Sequence, residues 1–128
     1  EKLSETKSKT YSEHSINEFS RENMIKCLPG PMPMWTRRMI NKVGFFDDVN
    51  HNYCDDWEIW LRSVEAGLVF KKIDKIVGLY LEGGRSQIEN NMSQRKEEAG
   101  VFFRYKNVFG KNYQKYYRYF KQFMDLCE

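Results

Sequence analysis

The chain has no CxxC pair, no glycine-rich phosphate loop, no internal repeat and no apolar run near the roughly 20 residues a membrane span needs. Its three cysteines, Cys27, Cys54 and Cys127, are odd in number and far apart. That excludes a disulfide framework or a zinc knuckle and predicts reduced thiols in a cytoplasmic protein. Charge of one sign is also scarce. Against 21 Lys and Arg stand 18 Asp and Glu, a net charge of +3 that does not by itself imply nucleic acid. The N-terminus lacks the charged-then-apolar order of a signal peptide. It opens Glu1-Lys2-Leu3-Ser4 with no methionine, from which an excised piece of a longer protein is expected.

What is present suits one folded domain: 128 residues, 41% hydrophobic and 16% aromatic. Residues 1–14 are polar and read as a flexible lead-in. A short helix is expected within 15–26, carrying Ile16, Phe19 and Met24. Pro29, Pro31 and Pro33 then forbid a helix and impose a stiff, extended backbone suited to a pocket wall. A helix should span about 36–43, stopped by Gly44.

Trp57, Trp60, Leu61 and Val64 fall on one face of the next helix, which Gly67 ends. Asp55 and Glu58 have the spacing of a capping box, with Asp55 at the N-cap. Residues 68–70 and 76–81 read as two short strands. Ser86 and Glu89 form a second capping-box pattern, opening a long helix to about 108 that Gly110 closes. A last amphipathic helix covers about 111–126. Two short strands make a thin sheet, so a sheet completed elsewhere is expected, and its open edges predict a homodimer or a domain swap.

Four segments in order carry a resemblance: Pro33-Met34-Trp35-Thr36-Arg37-Arg38, Gly44-Phe45-Phe46-Asp47-Asp48, Asp55-Asp56-Trp57-Glu58-Ile59-Trp60-Leu61-Arg62, and Gly78-Leu79-Tyr80 through Ser86. Over about 25–90 the chain resembles the family-2 type, GT-A fold, inverting glycosyltransferases. The resemblance implies an α/β fold, with residues 15–110 as the acceptor-side, C-terminal part of a GT-A domain and 111–128 as an added basic, aromatic helix. It implies sugar transfer from a nucleoside-diphosphate sugar to a glycan or lipid-linked acceptor, as in bacterial cell-surface polysaccharide synthesis. A divalent metal, Mg or Mn, is implied for the parent enzyme. The Asp-x-Asp motif that would bind it does not occur in this chain, so these residues alone are expected to be inactive. Many relatives carry a His after the last strand; here Leu81-Glu82-Gly83-Gly84-Arg85 stands instead, with Glu82 as a candidate substitute ligand.

The implied reaction needs a carboxylate beside the acceptor hydroxyl to take its proton. Asp56 is the candidate base, since the capping box would commit Asp55 to backbone amides and a helix N-terminus favours a carboxylate. Both aspartates equally suit plain capping of that helix. Trp35 is the candidate wall for a sugar ring. Trp57 shares the buried stripe with Trp60 but adjoins the base. Arg85 is placed either to meet the diphosphate or to sit in solvent. Arg62 is expected to pair with Glu58 one turn back.

Asp48-Val49-Asn50-His51-Asn52 starts like a calcium loop. Tyr53 and Ile59 occupy the positions that need Gly and Glu, which excludes an EF-hand. A rival reading comes from the C-terminal helices. Residues 95–121 hold eight basic residues against two acidic, interleaved with tyrosines and phenylalanines. That pattern suits a non-enzymatic module for a membrane surface or nucleic acid. For the enzyme, peripheral membrane contact is compatible and nucleic acid is not expected.

Overall fold

Thr36 opens the first regular helix: its side chain accepts the Met39 N–H at 3.3 Å, the N-cap bond that a threonine supplies. In the computed structural model, which describes residues 15–26, 28–30, 32–78 and 91–125, α1 spans Arg37–Val43. Gly44 ends it at φ 84°, its N–H returning to Ile40 O at 2.8 Å. After a turn in which Asn50 donates to both Asp47 carboxylate oxygens at 2.9 Å, α2 runs Asp55–Glu65. Gly67, at φ 82°, closes α2 in a Schellman motif, with Gly67 N–H on Val64 O and Leu68 N–H on Ser63 O, both 3.0 Å. The carboxamide of Asn91 accepts from Gln94 N–H at 3.1 Å and caps α3, Met92–Arg104. A turn through Gly110, at φ 51°, leads to α4, Lys111–Met124.

α2 is the hub. Trp57, Trp60, Leu61 and Val64 are buried as their spacing predicts, but so are Glu58, Ile59 and Ser63, leaving α2 covered on nearly every side. Against it packs an aromatic stack from the last two helices. Phe102 lies 4.3 Å from Phe120 and 5.0 Å from Tyr113 between ring centroids, and Trp57 stacks 6.2 Å from Phe120. The C-terminal helix therefore shares one core with α2. Asn112 fastens its start to Glu22 O at 2.8 Å.

The α/β expectation is overturned: among the described residues there are helices only, and no strand or sheet. Residues 68–78 follow no regular structure. Leu68 and Phe70 bury alternate side chains, with Phe70 5.8 Å from Trp60, while Val69 and Ile76 stay exposed. Alternating burial mimics a half-buried strand, yet a strand also needs a partner backbone, and no described segment supplies one. The strand edges behind the expected dimer are thus not formed among the described residues. The helix expected within 15–26 is also corrected, to a single 3-10 turn at Glu22–Ile25, because only Met24 there is fully buried. Residues 79–81 of the second expected strand and the Ser86–Glu89 capping box lie outside the described residues.

Candidate functional site

Asp55 and Asp56 open α2, but not as a capping box. Cys54 is the N-cap and offers no side-chain bond; Asp55 and Asp56 are the first two helical residues. Glu58 turns inward and is 1% exposed, so it caps nothing. The expected division of labour between the aspartates also reverses. Asp56 Oδ1 accepts the Trp57 N–H at 2.6 Å, whereas Asp55, half-buried, accepts no such bond. Asp56 nevertheless stands exposed on the wall of an open cavity of about 2490 Å³, which Asp55 does not line.

All four resembling segments reach that cavity: Pro33 to Thr36 from the proline segment, Phe46, then Asp56, Trp57 and Trp60 from the start of α2, and Gly78 of the fourth. Trp35 packs 5.9 Å from Trp60 and 6.0 Å from Phe46, with about half of its surface, 48%, exposed. Trp57 touches the same cavity but belongs to the core, and its indole N–H is spent on Met24 O at 2.7 Å. Trp60 is buried within a ring of Trp35, Phe46 and Phe70, and its Nε1 has no acceptor among the described residues. Glu82 and Arg85 lie outside the described residues.

What fixes the approach to Asp56 is a residue with no motif of its own. Glu97 of α3 accepts the N–H groups of Asn52, Tyr53 and Cys54 at 3.1, 2.9 and 2.7 Å. One carboxylate thereby holds three consecutive amides at the entry to α2, the charge-assisted kind of bond that is strongest. His51 Nδ1 lies 3.5 Å from the same carboxylate without hydrogen-bond geometry. Glu97→Gln should cost about 1–3 kcal/mol, because an amide cannot replace a carboxylate accepting three N–H groups. Urea melts and faster amide exchange confined to residues 52–54 would check this. Gln94, Arg95 and Glu98 add a polar wall to the cavity, with Glu98 bonded to Gln94 Nε2 and Arg95 Nη1, both at 2.9 Å. Their i, i+3 and i, i+4 spacing is local, whereas the docking of α3 that brings them to the cavity is not.

Behind the cavity, Glu58 anchors α2. Its carboxylate receives Arg62 Nη2 at 2.7 Å, Arg62 Nε at 3.2 Å and the Tyr105 hydroxyl. Arg62 also donates to Val43 O and, at 3.0 Å, to Phe45 O, so the expected Glu58–Arg62 pair ties together α1, α2 and α3. Burial works against the Arg62 charge, but the bond and charge of Glu58 outweigh it and hold the guanidinium pKa above its usual value. Burial, then the Glu58 bond, pushes the Tyr105 hydroxyl well up. The Cys54 thiol is raised by burial and then by the charges of Glu97, Glu98, Asp56 and Asp55, which makes it inert rather than nucleophilic.

Both raised groups hold their protons more tightly when folded. The stability they confer is full below their ordinary values, 9.0 for the thiol and 10.0 for the phenol, and is lost as pH climbs through and beyond them. The melting temperature should accordingly fall above about pH 9. Cys54→Ala and Tyr105→Phe should each flatten that decline in a thermal scan against pH.

Among the described residues no three His, Cys, Asp or Glu side chains converge to hold a metal ion. No described helix is long and apolar enough to cross a membrane. Comparison with protein-family models, curated proteins and solved structures finds no match to this chain.

Proposed function

We propose that this chain carries the acceptor side of an inverting glycosyltransferase that uses a nucleoside-diphosphate sugar, with Asp56 as the proton acceptor. The observation that carries the reading is the meeting of the separate resembling segments at one cavity, with Asp56 on its wall and Trp35 beside it. In the proposed step the acceptor oxygen bonds to the anomeric carbon as the bond to the diphosphate breaks on the opposite face. The hydroxyl proton passes to Asp56 and the nucleoside diphosphate departs. Helix-start amides orient the carboxylate through Trp57 N–H, and the Glu97 clamp fixes the segment before it. The donor, and any metal that serves it, is assigned to residues other than those of this cavity wall.

On this reading the protein works in the cytoplasm, or at the inner face of a membrane whose lipids carry the acceptor, in surface polysaccharide or glycan synthesis. The rival, a non-enzymatic module whose basic and aromatic C-terminal helices bind a membrane surface or nucleic acid, is disfavoured by the packing of those aromatic residues. Phe120 is buried, and Tyr113, Tyr116 and Phe123 pack against the core. Lys111, Lys115, Arg118 and Lys121 remain exposed, none in an ion pair with a described residue, which supports peripheral contact only. The test is donor consumption by the full-length gene product across nucleotide sugars, with the anomeric configuration of the product read by NMR. An inverted linkage supports the proposal. A retained linkage, or no transfer from any donor, contradicts it.

A further inference from the structure

Trp35, which lines the Asp56 cavity, also lines a second groove of about 510 Å³ together with Arg37, Ile40, Asn41 and Phe45. Its volume is in the range of small-molecule sites, ~300–1,000 Å³. Phe45 is 76% exposed, yet its backbone is fixed. Gly44 before it takes the left-handed φ of 84°, and Arg62 holds the carbonyls of Val43 and Phe45. An apolar ring is thus kept in water on a rigid turn. Arg37 and Asn41, four residues apart on α1, share one side of that helix. Neither side chain makes a hydrogen bond or ion pair with a described residue.

Two exposed aromatic rings flanking an uncommitted carboxamide and guanidinium match the chemistry of a sugar. Ring faces take the C–H side of a pyranose, while the amide offers donor and acceptor together and the guanidinium a fork of donors to its hydroxyls. A purely apolar partner would leave both polar groups without hydrogen bonds as it covered them. Trp35 lines both this groove and the Asp56 cavity, so one chain can occupy the two. We propose that the groove holds the second sugar of an oligosaccharide acceptor whose terminal sugar enters the Asp56 cavity. The inference rests on the sugar-transfer reading and narrows its acceptor to a glycan of at least two residues.

The test is NMR titration of the isotope-labelled chain with mono-, di- and tetrasaccharides from glucan, galactan, mannan and chitin series. The signals followed are the Trp35 indole N–H, the Asn41 side-chain amide and the Asp56–Trp57 backbone amides. In the responding series the tetrasaccharide should bind about ten-fold tighter than the monosaccharide, the effect of one aromatic anchor. Phe45→Ala, a surface change, should remove that gain and leave monosaccharide binding unchanged. Equal affinity at every length, with shifts confined to Asp56 and Trp57, overturns the groove and leaves the sugar-transfer reading standing. No response from any saccharide overturns both. Concentration-dependent dimerisation abolished by Phe45→Ala, with no shift of Asn41 on adding sugar, assigns the groove to a second copy and also overturns the proposal.

Discussion

Glu58→Gln should destabilise the fold by about 3 kcal/mol, the low end of what breaking a buried ion pair costs. The substitution keeps the size of the side chain and removes the charge that Arg62 and the Tyr105 hydroxyl both use. The low end applies because the Arg62 side chain is 25% exposed and keeps its bonds to Val43 O and Phe45 O. Against a total stability of roughly 5–15 kcal/mol for a small domain, that loss is large. Urea unfolding measures it, and Tyr105→Phe, which removes one hydrogen bond, should cost about 1 kcal/mol in the same assay. A loss below about 0.5 kcal/mol for Glu58→Gln would place the network in the class of solvated surface pairs and refute its role.

Asp56→Asn carries the largest functional prediction: sugar transfer by the full-length product should fall by about 10²–10⁴-fold, the usual contribution of general-base catalysis. Asn still accepts the Trp57 N–H, so the start of α2 survives and the melting temperature should shift little. Asp55→Asn should leave transfer within a few-fold of wild type, because Asp55 does not line the cavity. The two substitutions sit one residue apart on the same helix turn, yet they separate a catalytic role from a general effect of helix-start charge, which would weaken both variants alike.

The helix punctuation was legible because its causes are local. Thr36 and Gly44 bracket α1, and Gly67 ends α2 by a left-handed turn that only neighbouring residues determine. Asp55 and Glu58 misled for the opposite reason. Their spacing satisfies a capping box, but a tyrosine 47 residues away in the chain draws Glu58 into the core. The alternation in residues 68–70 reports burial against Trp60, not a ladder, and spacing alone does not separate the two. Asp56 and Trp35 could be named from the run of motifs. Glu97, 43 to 45 residues from the amides it holds, has no local signature at all. Arg95 and Glu98 pair one turn apart, but only the docking of α3 brings them to the cavity.

The most direct test of Asp56 as the proton acceptor is single-turnover transfer with donor already bound, in full-length wild type and Asp56→Asn, alongside the donor Kd of each. This isolates the chemical step from binding. An unchanged donor Kd and a transfer rate lower by at least about 100-fold are expected in the variant. Transfer within a few-fold of wild type, at equal donor affinity, would show that Asp56 only caps its helix.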